Sequence, residues 1–306
     1  MAECQTQRSE RPKAEIRPVS TVSYKPAEYW EGLARDQLEQ TEDPGLLGAV
    51  CYAGAPLWLN QFLAHFQQKA ITGALRRVRR RREGRAMLEI GCGTGRWCHY
   101  LAASGPVVGV DISPSMVRRA RELGPGPQFC LGLAQGLPFA DNTFGLALSV
   151  AVLIHVPDEL KPACAKELAR VLRPGGVVIL YERISPGLGA QVHPLSIDGW
   201  ASLFSEQGMR MSRCEAYEYA PLLRLLHLAS RMLPARARTS RLGADQVKRP
   251  AGGRAPMTAA SLNRLPLPLR LAARLAVAVS YPLEYLSGWL LGSRLANSAL
   301  MVFEKT

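Results

Sequence analysis

Short apolar runs alternate with amphipathic stretches through the middle of the chain. Five runs have the length and composition of buried strands, at residues 86–90, 106–111, 128–131, 144–149 and 177–181. Helical periodicity marks three intervening stretches, at 97–103, 114–123 and 158–172. This alternation predicts an α/β fold with a doubly wound, Rossmann-like parallel sheet, in which ligands bind beyond the carboxyl ends of the strands.

The rest of the chain divides around this α/β core. A helix at 197–207, a strand at 209–216 and a last strand at 298–303 extend the same pattern. We therefore predict four regions: a disordered tail at 1–25, an N-terminal helical lid at 26–85, the core at 86–216 with 297–306, and a helical insert at 217–296 that covers the substrate.

Positive charge is concentrated in two stretches of the chain. The formal net charge is +13. Residues 76–85 hold seven Arg and one Glu, and residues 219–283 hold eleven basic residues and only Asp245. The seven Cys form no C-x-x-C pair, and the polar N-terminus lacks the apolar stretch of a signal peptide. These features predict a reduced, cytoplasmic protein without a disulfide framework.

The segment after the first strand carries the most specific chemistry. Glu89 near the strand end is followed by a loop with Gly91, Cys92, Gly93 and Gly95, where the backbone can turn sharply and approach a ligand. Asp111 ends the second strand, where a carboxylate can accept both hydroxyls of a ribose. Because Glu89 would repel a pyrophosphate and attract a cation, we predict that the cofactor is S-adenosyl-L-methionine.

These residues resemble the class I S-adenosylmethionine-dependent methyltransferases, from about residue 26 to 216. The segment 137–144 (LPFADNTF) resembles the family's LPF-x-D-x-x-F stretch, and 172–176 (LRPGG) its L-x-P-G-G turn. The resemblance implies a seven-stranded sheet, with the last strand inserted antiparallel beside the fifth. It also implies a methyltransferase activity on a small molecule.

The resemblance assigns cofactor contacts residue by residue. Glu89 and Gly91 would hold the methionine end and Asp111 the ribose. Ile112 and Met116 would flank the adenine, Ala134 and Gln135 would border its edge, and Ser149 would be a further cofactor contact. Two positions depart from the family, because Leu133 and Gly145 stand where acidic residues are common. One lost hydrogen bond costs about 1 kcal/mol, so the cofactor prediction stands.

Two side chains follow the fourth and fifth strands, where a methyl acceptor should lie. His155 could act as a general base, since an unperturbed histidine has a pKa of about 6.5, or it could anchor its loop by hydrogen bonds. Glu182 could bind a substrate hydroxyl or amine, or pair with Arg183. No cluster has the spacing of a catalytic metal site, so the sequence predicts no metal.

The regions flanking the core indicate an apolar acceptor. Tyr29 and Trp30 are candidate substrate-pocket residues at the start of the helical lid. Residues 265–291 combine Arg270 and Arg274 with spaced aromatic residues on an apolar stretch. This stretch could lie on the inner face of an anionic membrane, or pack over the sheet and line an apolar pocket. Charge and Pro282 argue against a membrane span.

Three function classes remain on the sequence alone. The leading one is methyl transfer to a hydrophobic or lipid-linked small molecule. A second is an RNA or protein methyltransferase that uses the Arg-rich stretches, although residues 149–152 read SVAV in place of an N-P-P-Y-like tetrapeptide and no RNA-binding module is recognisable. The third is a cofactor-binding scaffold without catalysis, to which only Leu133 and Gly145 point.

Overall fold

A computed structural model describes residues 25–40, 57–78, 85–185, 192–219, 267–293 and 295–306. Outside these ranges lie residues 1–24 of the predicted tail, residues 41–56 of the predicted lid, residues 79–84 of the Arg-rich stretch and residues 220–266 of the predicted insert. Predictions about those segments stay predictions.

One seven-stranded sheet organises the part of the chain that the structure describes. Its strand order is β3-β2-β1-β4-β5-β7-β6. The strands are β1 (Met87–Ile90), β2 (Val107–Asp111), β3 (Gln128–Leu131), β4 (Phe144–Val150), β5 (Leu172–Arg183), β6 (Met209–Tyr217) and β7 (Ser298–Lys305). Strands β1 to β5 are parallel, and β7 runs antiparallel between β5 and β6. The predicted fold class, including the antiparallel last strand beside the fifth, is confirmed.

Helices cover both faces of this sheet. They are α1 (Pro26–Gln40), α2 (Leu57–Arg77), α3 (Arg96–Ala102), α4 (Pro114–Glu122), α5 (Lys161–Val171), α6 (Ile197–Ser205) and α7 (Leu267–Leu291). Apolar residues of α2, α3 and α4 pack in one core cluster with the sheet, and those of α5 and α6 pack in a second cluster. Among these described helices, none has the length and apolar character needed to cross a membrane.

The fifth strand is longer than its apolar run predicts. Leu172 pairs with Phe144, and the regular ladder resumes at Val177 opposite Leu146. The predicted turn at 172–176 is therefore an irregularity within β5, where Gly175 has a φ of 70° that favours glycine. The helix predicted at 158–172 is divided, with a 3₁₀ turn at Asp158–Leu160 before α5.

The strand directions bring the candidate residues to one edge of the sheet. Strands β5 and β6 run in the same direction, since each is antiparallel to β7. The carboxyl ends of β1, β2, β4, β5 and β6 therefore meet at a common edge, which holds the glycine loop and the turns after β4 and β5. In sheets of this kind the ligand site lies there.

Candidate active site

The glycine loop after β1 lies against the turn that follows β4. Gly91 has a φ of +62°, and a Cβ atom built on it would lie 2.3 Å from Cγ2 of Val152. That distance is far below van der Waals contact, so no other side chain fits without displacing the turn. Glycine at position 91 therefore lets the loop pack closely against the turn after β4. Gly91 and Gly93 are both partly exposed.

Glu89 brings a buried carboxyl group to this loop. Burial raises its pKa to about 8, while hydrogen bonds from Cys98 and the charge of Arg96 act in the opposite direction. Its Oε2 atom is buried and has no hydrogen-bond partner within the described residues. A buried acceptor without a donor favours a ligand that brings its own donor or positive charge. The ammonium and sulfonium groups of S-adenosylmethionine fit this requirement.

Asp111 organises the neighbouring turn. Its Oδ2 accepts the backbone N–H of Gly93 at 2.8 Å, and its Oδ1 accepts the N–H of Ser113 at 2.9 Å. Burial raises its pKa, and these backbone donors lower it. Each carboxylate oxygen has a second lone pair, so the residue can also accept the two hydroxyls of a ribose.

The residues expected around the adenine lie beside Asp111. Ile112, Ala134 and Gln135 are partly exposed, and Met116 is nearly buried in α4. Leu133 and Gly145 are the two positions where the sequence has no acidic residue although the family commonly does. Leu133 is 43% exposed. A larger residue at position 145 would collide with Arg85, because a Cβ atom on Gly145 would lie 2.7 Å from Cδ of Arg85.

Glu182 holds the turn after β4 in place. Its buried carboxylate accepts hydrogen bonds from the Ser149 hydroxyl and from the backbone N–H groups of residues 152–154, at 3.1 to 3.3 Å. Burial raises its pKa to about 7, against the lowering effect of these donors. Ala151, at the start of the turn, has a φ of 55°, which is uncommon for a residue with a side chain.

The Glu182 carboxylate therefore receives four hydrogen bonds from Ser149 and the turn after β4. Its predicted roles, contact with a substrate hydroxyl or amine or pairing with Arg183, stay predictions. Ser149, expected near the cofactor, directs its hydroxyl to Glu182 at 3.1 Å. Its position at the end of β4 is still beside the glycine loop, since Ser149 pairs with Ile90 of β1.

Helix α1 is attached to the start of α4, directly after the Asp111 turn, through Glu31. The carboxylate accepts the hydroxyl groups of Ser113 and Ser115, each at 2.7 Å, and the backbone N–H of Ser115 at 3.0 Å. Burial raises the pKa of Glu31, but these hydrogen bonds and that from Arg35 outweigh burial and bring it to about 2. Glu31 is therefore ionised at the N-terminus of α4, where the helix dipole favours a negative charge.

The same helix contacts the turn after β4 through the aromatic pair Tyr29 and Trp30. The ring centroids of Trp30 and His155 lie 4.7 Å apart at an interplanar angle of 67°, and Tyr29 packs edge-on against Trp30 at 5.2 Å. His155 ends the 3₁₀ turn Leu153–His155 that Glu182 holds. Trp30 is partly buried here, while Tyr29 is 43% exposed.

The structure thus places most of the predicted site residues along one edge of the sheet and adds residues that the sequence did not reveal. Glu31 and Val152 were not candidates. The Ser-Pro-Ser sequence at 113–115 predicts a helix N-terminus, because serine is a favoured cap and proline suits the first turn. Nothing in the sequence indicates that Glu31, 82 residues before Ser113, completes that cap.

Comparison with known proteins agrees with this geometry. Residues 88–180 match the family described as a methyltransferase domain. The 2-methyl-6-phytyl-1,4-hydroquinone methyltransferase of Synechocystis sp. is 39% identical over 104 residues, which cover 32% of this chain and 32% of that protein. The demethylmenaquinone methyltransferase of Staphylococcus aureus is 33% identical over 137 residues, which cover 42% of this chain and 56% of that protein.

A solved S-adenosylmethionine dependent methyltransferase from Mesorhizobium loti is 17% identical, with a TM-score of 0.47 over 77% of this chain and 97% of that one. The chain spans from about a third to just over half of the length of the two curated relatives. The family match falls on β1 to β5, the strands that hold the glycine loop and Asp111. Residues 88–180 therefore belong to the class I methyltransferase domains, which use S-adenosyl-L-methionine as the methyl donor.

Proposed function

We propose that the protein transfers the methyl group of S-adenosylmethionine to a hydrophobic small molecule. The contact between Trp30 and His155 carries this proposal. It puts an aromatic surface and an imidazole beside the same turn that packs on Gly91. An acceptor bound there would meet apolar and aromatic groups near the donor's methyl group, which suits a ring with little charge.

The donor is held by groups at the ends of β1 and β2. Glu89 and the glycine loop would hold the methionine end, and Asp111 the ribose hydroxyls. Ile112 and Met116 would flank the adenine, with Ala134 and Gln135 along its edge. The buried, unpaired Oε2 of Glu89 supports this arrangement, because a cationic ligand would remove the cost of an ionised buried carboxylate.

The bound donor supplies an electrophilic methyl group that is already activated by its sulfonium. The chain's own residues must therefore align the acceptor, exclude water and accept a proton. Trp30 would press the acceptor toward the turn, and an imidazole nitrogen of His155 would take a proton from an acceptor hydroxyl. Glu182 would act as a positioning residue that fixes His155 through residues 152–154.

A prenylated hydroquinone is the acceptor class that we favour. The two curated relatives named above are called a 2-methyl-6-phytyl-1,4-hydroquinone methyltransferase and a demethylmenaquinone methyltransferase. A phenolic ring has an apolar face for Trp30 and a hydroxyl proton that His155 could take, which would make the ring nucleophilic. The ring carbon that accepts the methyl group would then release its own proton, and His155 would return the first proton to the oxygen. The proposal includes a cytoplasmic location at or near the inner face of the membrane, where an acceptor with a long isoprenoid tail resides. It assigns no role to nucleic acid.

Methyl transfer to defined acceptors tests this proposal. Purified protein is incubated with methyl-labelled S-adenosylmethionine and a reduced prenylated hydroquinone that lacks the ring methyl, or with the same ring without its tail. We expect label in the prenylated product and a KM at least about tenfold lower than for the bare ring, because the tail adds apolar area to bury. Equal use of both rings, or no label in either, would overturn it.

A further inference from the structure

Helix α7 has a buried face and an exposed face of different chemistry. On the inner side, Ser280 and Glu284 are buried, and the Glu284 carboxylate accepts the backbone N–H of Tyr219 directly after β6. Tyr281 packs edge-on against Phe62 of α2, with ring centroids 4.9 Å apart. These contacts fix the rotation of α7 and attach its middle to the sheet edge that holds the site.

The outer face of α7 is a continuous apolar stripe. Seven of its large apolar side chains are at least 46% exposed, including Leu275 at 67% and Trp289 at 81%; the others are Leu267, Leu271, Val279, Leu286 and Leu290. Positions 271, 275, 279, 286 and 290 fall within about a third of the helix circumference at 100° per residue. Scattered exposed leucines are ordinary, but a stripe of this length indicates a binding surface.

The aromatic residues spaced by four do not form one face, although their spacing is regular. Four residues advance a helix by about 400°, so each step rotates the side chain by about 40°. Tyr281 therefore faces α2, Tyr285 lies at the boundary, and Trp289 faces outward. At that boundary the ammonium of Lys69 lies 3.6 Å from the centroid of the Tyr285 ring.

Among the described residues of α2 and α7, every exposed charged side chain is basic. Glu284 is the sole acidic residue in the sequence of α7, and it is buried. Arg274 and Lys69 are exposed near the edge of the stripe. Residues 219–283 as a whole hold eleven basic residues and one acidic residue. An apolar face bordered by cations is complementary to an anionic lipid surface, where the apolar side chains enter the acyl boundary and the cations meet headgroups.

We propose that the outer face of α7 docks on an anionic lipid bilayer, with the helix lying in the plane of the interface. This proposal rests on the proposed function, because docking would let a lipid-linked acceptor reach the methyl-transfer site without crossing water. A second copy of the chain is a poorer occupant, since a two-fold contact through this face would oppose Arg274 and Lys69 of both copies. In the sequence, residues 220–266, directly before α7, carry nine basic residues and one acidic residue.

Vesicle co-sedimentation tests the docking without any turnover. The full-length protein is mixed with vesicles of phosphatidylcholine alone or of phosphatidylcholine with phosphatidylglycerol, at low and high salt. We expect binding to the anionic vesicles that weakens with salt. The double variant Leu275→Gln/Trp289→Gln should bind at least about tenfold more weakly, because two exposed apolar groups no longer enter the lipid.

The control variant is Leu123→Gln, whose side chain is 42% exposed at the end of α4, and it should bind like the wild type. Equal binding of the double variant, or no binding of the wild type to anionic vesicles, would overturn the proposal. So would a wild-type dimer that the double variant converts to a monomer. Transfer to a water-soluble acceptor, measured on the same preparations, tests the proposed function separately.

Discussion

The hydroxyl group of Ser113 donates a hydrogen bond to Oε2 of Glu31 at 2.7 Å, while its backbone N–H donates to Oδ1 of Asp111 at 2.9 Å. One residue thus joins the N-terminal helix to Asp111, the carboxylate that we propose for the ribose. Trp30 of the same helix packs on His155 in the turn after β4. Helix α1 therefore contacts both the turn after β2 and the turn after β4.

Removing the charge of Glu31 should loosen this helix. In Glu31→Gln we expect the free energy of unfolding to fall by about 1–3 kcal/mol, because charge-assisted bonds to Ser113 and Ser115 are lost. The affinity for S-adenosylmethionine should fall several-fold, as measured by calorimetry. Since the folded pKa of Glu31 is about 2, below the ordinary 4.5, its contribution is present above pH 4.5 and is lost as the pH falls through about 2.

Glu28→Gln is the matched control for this prediction. Glu28 lies on the same helix and pairs at the surface with Lys25, so its loss should change the stability by no more than about 0.5 kcal/mol. Equal effects of the two substitutions on stability and affinity would show that Glu31 does not attach the helix.

Cofactor binding should depend on pH through Glu89. The pKa of this carboxyl is raised from 4.5 to about 8, so the protonated form stabilises the free protein, and that stability is lost as the pH rises through about 8. A cationic cofactor favours the ionised form, so binding releases a proton. We expect the affinity to rise up to about tenfold per pH unit between about pH 6 and 8.

Calorimetry in two buffers of different ionisation enthalpy measures this proton release directly. The Glu89→Gln variant should release no proton when it binds the cofactor, and its affinity should depend less on pH. Cys98 and Asp111 remain in this variant, so the difference from wild type reports on Glu89 itself. Glu122→Gln, an exposed residue at the end of α4, should behave like the wild type. The same pH slope in Glu89→Gln and wild type would assign the proton to another group.

His155 should affect the chemical step more than cofactor binding. A general base contributes about 10²–10⁴-fold, so His155→Ala should lower kcat by that factor and leave the dissociation constant of S-adenosylmethionine within about twofold of wild type. His155→Gln separates the two roles of this residue, because glutamine can hydrogen-bond but cannot titrate near neutral pH. Recovery of most of kcat and of its pH profile in His155→Gln would identify His155 as an anchor of the turn.

Glu182 should act through the turn that it holds. In Glu182→Gln the amide group turns a donor toward the backbone N–H groups of residues 152–154, so we expect the free energy of unfolding to fall by about 1–3 kcal/mol. We also expect kcat to fall with little change in acceptor KM, and the kinetic pH profile to keep its shape. Glu159→Gln, exposed in the next 3₁₀ turn, is the control. A shifted pH profile in Glu182→Gln would instead make Glu182 a proton carrier.

The strands and the parallel arrangement of β1 to β5 could be predicted from the sequence because those signals are local, whereas the antiparallel last strand was implied by the family resemblance. Residues 144–148 (FGLAL) hold no polar side chain, as expected of a strand buried on both faces. The glycine loop and Asp111 were found in the same way, because each follows its own strand. The longer β5 was missed because Pro174 and two glycines read as a turn, although the strand passes through them with a local irregularity.

The contacts that complete the site could not be predicted, because they join distant parts of the chain. Glu31 contacts Ser115 across 84 residues, and a lone glutamate on an amphipathic helix gives no sign of such a partner. Glu182 was a candidate for substrate contact because it stands at a strand end. The N–H groups that it accepts become available only when the backbone turns at Ala151, and a positive φ at alanine has no sequence signal.

The central claim is that S-adenosylmethionine bound at the glycine loop methylates an apolar acceptor. Methyl-labelled S-adenosylmethionine is incubated with extract of the source cells and either wild-type protein, Gly91→Ala or Gly73→Ala. Alanine at position 91 would collide with Val152 at 2.3 Å, whereas at position 73 it would meet only the far end of the Arg77 side chain, at 3.3 Å. The account predicts label in the organic-soluble fraction with wild type and Gly73→Ala, and background label with Gly91→Ala. Label confined to RNA or protein, or undiminished label with Gly91→Ala, would contradict it.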